Sequence, residues 1–243
     1  MTAPISPALP SPLPGLFITG FELGPFATNS YVIEDRPSST CWVVDPSFEP
    51  EELLNFLRQR KLAVVRIVLT HAHIDHIAGL DELAAACTAA GGPVPPITMH
   101  AAEVEWLATP ALNLSSALGG GFRTELRASD VVSPPRTMSE AGPSASIVRT
   151  LGPHTFTLLH TPGHSPGSIS LVNLPNRAII SGDLLMAGSV GRTDFPNSNH
   201  WDLVQSIRRG LYPLPEEMQV YPGHGPTTTI GREKQFNQFV RAT

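Results

Sequence analysis

Hydrophobic and polar positions along the first part of the chain predict short strands interrupted by helices. Residues 16–21, 30–33 and 41–44 are apolar, β-rich and separated by Gly, Pro, Asn or Ser, so we expect an antiparallel meander there. Residues 51–60 follow a proline and carry acids first and bases last, which predicts a helix. The continuous apolar run at 64–69 is typical of a strand buried on both faces.

The remaining pattern repeats this order of strands and helices. The region 109–146 is rich in Gly and Pro and has little periodicity, so we expect a long loop there, such as a lid or an insert. The other predicted elements are helices at 78–90, 101–108, 200–211 and 232–241 and strands at 97–99, 155–160, 168–172, 178–180 and 218–221. Strands and helices in this order, twice over, favour an α/β protein in which two sheets pack together with helices outside.

Composition narrows the class of protein. The chain has 243 residues, of which 41% are hydrophobic and 15% charged, so it is globular. We expect a single domain at 15–243, preceded by a flexible Pro-rich tail at 1–14. The net charge of −5 and only two lysines argue against a nucleic-acid partner.

Location is predicted from three features of the sequence. There is no run of 18 apolar residues, so we expect no membrane span. The first 16 residues lack the basic and apolar regions of a secretory signal. Two cysteines, Cys41 and Cys87, fit a reducing compartment, and we therefore expect a cytoplasmic protein.

Histidines and carboxylates at predicted strand ends carry the chemistry. Three imidazoles and one carboxylate fall within six residues in the segment His71-Ala72-His73-Ile74-Asp75-His76, directly after an apolar strand. His164, Asp183 and His224 each stand in a turn bearing Gly after another strand. Neutral imidazole and carboxylate suit a borderline divalent metal, and seven such residues exceed the need of one four-coordinate ion. Two ions sharing a carboxylate would use all seven and turn a bridging water into hydroxide near neutral pH.

The order His-x-His-x-Asp-His, then a lone His, a lone Asp and a last His, resembles the metallo-β-lactamase superfamily. That resemblance implies an αββα sandwich with the site at one edge. It also implies that His71, His73 and His164 hold one metal ion, that Asp75, His76 and His224 hold the other, and that Asp183 bridges them. We expect zinc, with iron or manganese as alternatives.

A finer resemblance concerns the substrate. The stretch Gly191-Arg192-Thr193-Asp194-Phe195-Pro196 and the turn around His224 are similar to short glyoxalase II-like hydrolases, and the first is shared with persulfide dioxygenases. Both groups act on glutathione-linked substrates. In dizinc β-lactamases Cys usually stands at the place of Asp183, so we do not expect antibiotic hydrolysis. Only 19 residues follow His224, so we expect no helical domain like that of full-length glyoxalase II, and region 109–146 is a candidate for the thiol pocket instead.

Two activities remain open at this point. The first is hydrolysis of a glutathione-type thioester, with Asp75 orienting the nucleophile and Asp183 bridging the ions. The alternative is a persulfide dioxygenase with one iron at His71, His164 and Asp183, a facial triad of two histidines and one carboxylate. Asp45 and Pro46 are interpreted as a turn, which the resemblance to the superfamily places behind the metal site. Arg192 and Asp194 are interpreted as either an ion pair or a substrate contact.

Overall fold

The computed structural model describes residues 12–138 and 147–241. Most of the predicted tail at 1–14 and the last part of the predicted loop at 109–146 therefore lie outside the described residues. The strands are β1 Leu16–Leu23, β2 Thr28–Asp35, β3 Thr40–Val44, β4 Ala63–Val68, β5 Ile97–His100, β6 Asp130–Val132, β7 Ile147–Leu151, β8 His154–His160, β9 Ile169–Asn173, β10 Ala178–Gly182, β11 Leu185–Met186, β12 Ser189–Val190, β13 Gln219–Pro222 and β14 Thr228–Thr229.

The helices begin after the first three strands. The α-helices are α1 Glu51–Arg60, α2 Ile74–Ile77, α3 Leu80–Ala89, α4 His200–Gln205 and α5 Ile230–Phe236. Two 3₁₀ helices, Ala101–Ala108 and Ser115–Leu118, and a π-helical segment, Ser206–Leu211, complete the set. No helix in the described ranges combines the length and apolar character that a bilayer crossing requires.

Two six-stranded sheets carry the fold. The first sheet has the order β1-β2-β3-β4-β5-β6, and the second has the order β14-β13-β10-β9-β8-β7. The predicted meander is confirmed, because β1, β2 and β3 pair antiparallel, whereas β3, β4, β5 and β6 run parallel. In the second sheet β10 and β13 are parallel, and β8 runs in the same direction because β9 is antiparallel to both β8 and β10.

Side chains alternate between the faces of each sheet and so build three apolar cores. On β3, Val43 packs outward with Leu53 of α1 and Leu83 of α3, whereas Trp42 packs inward between the sheets. Trp42 meets Phe156 of the second sheet there, with ring centroids 5.1 Å apart. A third core lies under α4 and α5 on the outer face of the second sheet. Three cores require four layers, and the predicted αββα sandwich is therefore confirmed.

Several predicted elements differ from the structure. The predicted loop at 109–146 contains β6, which extends the first sheet, and the prediction omitted β7 altogether. The strand predicted at 64–69 is buried on both faces only at its end, since its first residues alternate between exposed and half-buried. The helix predicted at 78–90 begins at Leu80, after a separate turn of helix at Ile74–Ile77, and the last helix spans Ile230–Phe236 rather than 232–241.

Candidate metal centre

The seven predicted ligand residues lie at or just beyond the carboxyl ends of strands. His71 follows β4, His164 follows β8, Asp183 follows β10 and His224 follows β13. Because the carboxyl ends of parallel strands meet at one edge of a sheet, each sheet delivers its ligands to the same end of the sandwich. A backbone hydrogen bond from Ile169 to the Thr70 carbonyl, 2.8 Å long, joins the two sheets at this edge.

Two groups of three side chains form there. The ligand atoms of His71, His73 and His164 lie within 4.8 Å of one another, and all three residues are buried. A second group with the same spacing consists of Asp75, His76 and His224. Asp75 and His224 are only partly buried, so the cleft opens on their side. The structure thus brings together the six residues that the sequence predicts as two sets of ligands.

Asp183 stands between the two groups. Its Oδ1 lies 3.4 Å from His76 Nε2, and its Oδ2 lies 3.5 Å from His164 Nε2 and 3.4 Å from His224 Nε2. One carboxylate therefore faces both sets of imidazoles, which is the position that a bridging ligand requires. A Cβ at Gly223 would lie 2.0 Å from Asp183 Oδ1, so only glycine fits beside this carboxylate.

Hydrogen bonds on the far side of the ring set the tautomers of three imidazoles, those of His71, His164 and His224. The carbonyls of Arg192 and Phe26 can only accept, so His164 and His224 donate to them from Nδ1. The Thr70 hydroxyl donates to Asp45 and therefore accepts from His71 Nδ1. In each case the lone pair is left on Nε2, which faces the centre.

Lone pairs of imidazoles and carboxylate oxygens thus converge on one space, which favours a cation. His71 Nε2, His76 Nε2 and Asp183 Oδ1 are buried and have no hydrogen-bond partner among the described residues. His73 Nδ1 and His164 Nε2 face each other at 2.9 Å. Two nitrogen lone pairs repel at this distance, so either one of the two nitrogens carries a proton that the other accepts, or a cation lies between them. The donor set therefore fits divalent metal ions.

The pKa values of the two groups differ because of the carboxylates. Burial, together with the other imidazoles, lowers the pKa of His71 well below its usual value, and burial lowers the pKa of His73 to about 3. Burial also lowers the pKa of His224, but hydrogen bonds to Asp183 and Asp75 outweigh it and raise that pKa to about 10. The first group is thus neutral and ready to ligate, while in the second group a proton occupies the place that a metal ion would take.

Asp45 orients His76 from behind, a hydrogen-bonding role that its interpretation as a turn behind the metal site did not include. Asp45 Oδ1 accepts from the Thr70 amide at 2.7 Å, and Oδ2 accepts from the Thr70 hydroxyl at 2.6 Å and from His76 Nδ1 at 3.0 Å. Both oxygens are therefore engaged, although Asp45 also lies within ligand distance of His71 and His76. The sequence did contain a signal, because Asp45 directly follows an apolar strand as Asp183 does.

The stretch 191–196 forms one wall of the cleft. The Phe195 ring packs edge-on against His73 and His164, with centroids 5.2 and 5.7 Å away. The Arg192 guanidinium lies over the same ring at 4.4 Å and forms an ion pair with Asp194, at 2.7 Å. Both charged side chains are about two-thirds exposed, at 67% and 66%. The predicted ion pair is present, and it leaves the mouth of the cleft locally neutral.

The other histidines take no part in either ligand group. His100 caps the 3₁₀ helix Ala101–Ala108 by accepting from the Ala102 amide, and its ring stacks on His160 at 4.1 Å. His154 is buried beside Asp35 at the opposite end of β2. His200 is exposed at the start of α4. These four histidines therefore serve in a cap, in packing or at the surface.

The chain belongs to the metallo-beta-lactamase superfamily, since the model of that family matches residues 23–224. The names of two relatives indicate what kind of enzyme this family includes. The probable metallo-hydrolase M6_Spy0554 of Streptococcus pyogenes serotype M6 is 36% identical over 214 residues, covering 86% of this chain and 83% of that protein. The hydroxyacylglutathione hydrolase GloC of Haemophilus influenzae is 30% identical over 219 residues, covering 89% and 94%. The chain is accordingly a metal-dependent hydrolase with a small-molecule substrate.

Two solved structures resemble the whole fold. The structure of BLEG-1 B3 metallo-beta-lactamase has a TM-score of 0.82 and 36% identity, covering 93% of this chain and all of that one (100%). The structure of TTHA1623 in a di-iron-bound form has a TM-score of 0.74 and 32% identity, covering 91% and 100%. Together with the clusters of His and Asp in this chain, membership of the superfamily suggests divalent metal ions.

Proposed function

We propose that the chain hydrolyses thioesters of the glutathione type at a centre of two metal ions. The observation that carries the proposal is the position of Asp183, whose two oxygens face the two groups of imidazoles. In this proposal His71, His73 and His164 hold one ion, Asp75, His76 and His224 hold the other, and Asp183 bridges them. Both sheets supply ligands, so we take residues 15–243 as one catalytic domain. We expect zinc, and the di-iron neighbour makes iron the first alternative.

The residues of the chain would divide the work as follows. When bound, the two ions would supply a water that loses its proton near neutral pH and a Lewis acid for the carbonyl. Asp75 lies on the open side and its Oδ2 accepts from Thr28 Oγ1 at 3.0 Å, which holds the carboxylate ready to orient the attacking water. Phe195 covers the flank of His73 and His164 and keeps bulk water from that side.

The leaving group favours a thioester over an amide. A thiolate leaves a tetrahedral intermediate without being protonated, whereas an amide nitrogen needs a proton donor. His71, His76, His164 and His224 commit their Nδ1 protons to acceptors on the far side of each ring. Burial would raise the pKa of Asp75, but the neighbouring His76 and His224 outweigh that effect and hold this pKa well below its usual range, so the carboxylate is ionised. The relationship to the hydrolase GloC points to the same substrate class.

A side-by-side assay tests this function. Metal-replete protein is given S-lactoylglutathione, a β-lactam or glutathione persulfide, the last in an oxygen electrode. We expect thioester hydrolysis to exceed β-lactam hydrolysis by orders of magnitude, without oxygen uptake. The β-lactam arm is needed because a structure with 36% identity bears the name of a B3 metallo-beta-lactamase. Dominant β-lactam cleavage would overturn the proposal, and oxygen uptake with persulfide but no thioester cleavage would assign a dioxygenase instead.

A further inference from the structure

Glu103 carries a fully buried carboxylate that the proposed chemistry does not use. It lies in the 3₁₀ helix Ala101–Ala108 and its exposed fraction is 0%. Glutamate is almost never fully buried unless it is paired, because its desolvation is costly. Its burial raises the pKa of Glu103, and hydrogen bonds from its neighbours oppose that effect. The position of these neighbours explains how the desolvation cost of the carboxylate is offset.

The two oxygens of Glu103 bind two different ligand loops. Its Oε2 accepts from the Ala72 amide at 2.7 Å, and Ala72 stands between His71 and His73. Its Oε1 accepts from the Gly167 amide at 2.6 Å, three residues after His164. The first loop follows β4 of one sheet, and the second follows β8 of the other sheet. A single side chain thus joins the loops that deliver the three imidazoles of the first group.

The surroundings of Glu103 are closely fitted to this contact. A Cβ at Gly167 would lie 2.8 Å from Glu103 Cγ, so glycine is required for the approach. Trp106 lies three residues further along the same 3₁₀ helix, where residues i and i+3 share a side. Its ring stacks on His73, with centroids 5.7 Å apart and planes 29° apart. The helix therefore contacts the first group in two ways: Glu103 binds a backbone amide between two of its histidines, and Trp106 stacks on the His73 imidazole.

We propose that Glu103 is a positioning residue that sets the separation of His71 and His73 from His164. It thereby tunes the affinity of the chain for the ion that these three imidazoles would hold. The inference rests on the proposed metal centre, and it assigns to the 3₁₀ helix a role that the sequence did not suggest. Glu103 touches neither substrate nor metal in this account, and it acts only through the two loop amides.

The test compares Glu103→Gln with Glu105→Gln, the same substitution at an exposed position of the same helix. A glutamine keeps one acceptor oxygen but turns its NH2 group toward the second loop amide, which releases one loop. Zn²⁺ affinity and stoichiometry are measured by competition with a chelator, and the Co²⁺-substituted protein is followed by its visible spectrum. Loss of an outer-shell partner of this kind lowers metal affinity by about 10–100-fold.

We expect Glu103→Gln to lower the affinity for one of the two ions by that factor and to change the Co²⁺ spectrum. It should also lower kcat, while KM stays within about twofold. Glu105→Gln should match the unmodified chain in every readout. Wild-type affinity for both ions in Glu103→Gln would overturn the inference. Fewer than two ions in the unmodified chain would instead count against the proposed function, so the two failures are distinguishable.

A second variant covers the case in which Glu103→Gln does not fold. Gly167→Ala leaves the carboxylate in place but pushes it away from the loop amide, because the added methyl group would meet Glu103 Cγ at 2.8 Å. We expect the same selective loss of one ion. Unchanged Zn²⁺ affinity in Gly167→Ala would contradict the positioning role.

Discussion

Replacing Asp45 by Asn tests the tautomer argument at the second group of ligands. The Thr70 amide can only donate, so the remaining amide oxygen would face it, and the NH2 group would face His76 Nδ1. Two N–H donors would then meet, and His76 would have to move its proton from Nδ1 to Nε2. An imidazole protonated on Nε2 offers no lone pair to the centre, so the second group would lose one of its ligands.

The magnitude follows from the loss of one outer-shell contact. Such losses cost about 10–100-fold in metal affinity, which corresponds to roughly 1.4–2.7 kcal/mol for that one ion. The assay is a chelator competition with Zn²⁺ on the purified variant, together with thermal melting of the metal-free protein. The affinity for the other ion should fall less, because only His71 in the first group depends on Asp45, through the Thr70 hydroxyl that donates to Asp45 and accepts from His71 Nδ1.

Asp35→Asn is the matched control. Asp35 is as buried as Asp45, at 2% exposure each, and it also lies beside an imidazole, that of His154. It stands at the other end of the first sheet, so we expect this substitution to change the melting temperature but not the metal affinity. Two ions bound with unchanged affinity in Asp45→Asn would refute the tautomer argument.

Three further predictions concern the centre itself. Asp183→Asn keeps the size but removes the shared charge, so we expect thioester hydrolysis to be lost while the melting temperature of the metal-free protein shows a folded chain; near-normal activity would make Asp183 a turn residue. Gly223→Ala would place a methyl group 2.0 Å from Asp183 Oδ1, so Zn²⁺ affinity should fall by at least about tenfold, and unchanged affinity would show that the carboxylate has room to move. In the metal-free protein the pKa of His224 is raised from 6.5 to about 10, because hydrogen bonds to Asp183 and Asp75 outweigh burial. The stabilisation that the His224 proton provides is then complete below pH 6.5 and lost as the pH rises toward 10. The melting temperature of the metal-free protein should therefore fall between these two pH values, and it should not fall there once Zn²⁺ is bound.

Much of the candidate centre could be predicted because its proposed ligands are close in sequence or share one local pattern. His71, His73, Asp75 and His76 fall in one short segment, and the remaining three ligands each follow a strand within a turn containing Gly. A single imidazole or carboxylate in such a turn is typical of a loop or a cap, but seven of them in four segments exceed that explanation. Asp183 could be selected by its position after an apolar strand and a glycine.

The residues that support the ligands could not be predicted in the same way. Glu103 has the appearance of an ordinary helical glutamate, and only the packing of two loops against it explains its burial. Thr28 is 47 residues from Asp75, to which it donates, and no local pattern links them. The strand β6 has only three residues in a polar context, and it is stabilised by pairing with β5 rather than by its own propensity.

The number of metal ions tests the central claim most directly. Protein purified under anaerobic conditions would be analysed for zinc, iron and manganese, and the metal-free form would then be titrated with Zn²⁺. We predict about two equivalents in the unmodified chain, since Asp183 faces two complete sets of ligands. A single equivalent that cannot be raised by further Zn²⁺, or full loading of two ions in Asp183→Asn with unchanged affinity, would contradict a centre bridged by this carboxylate.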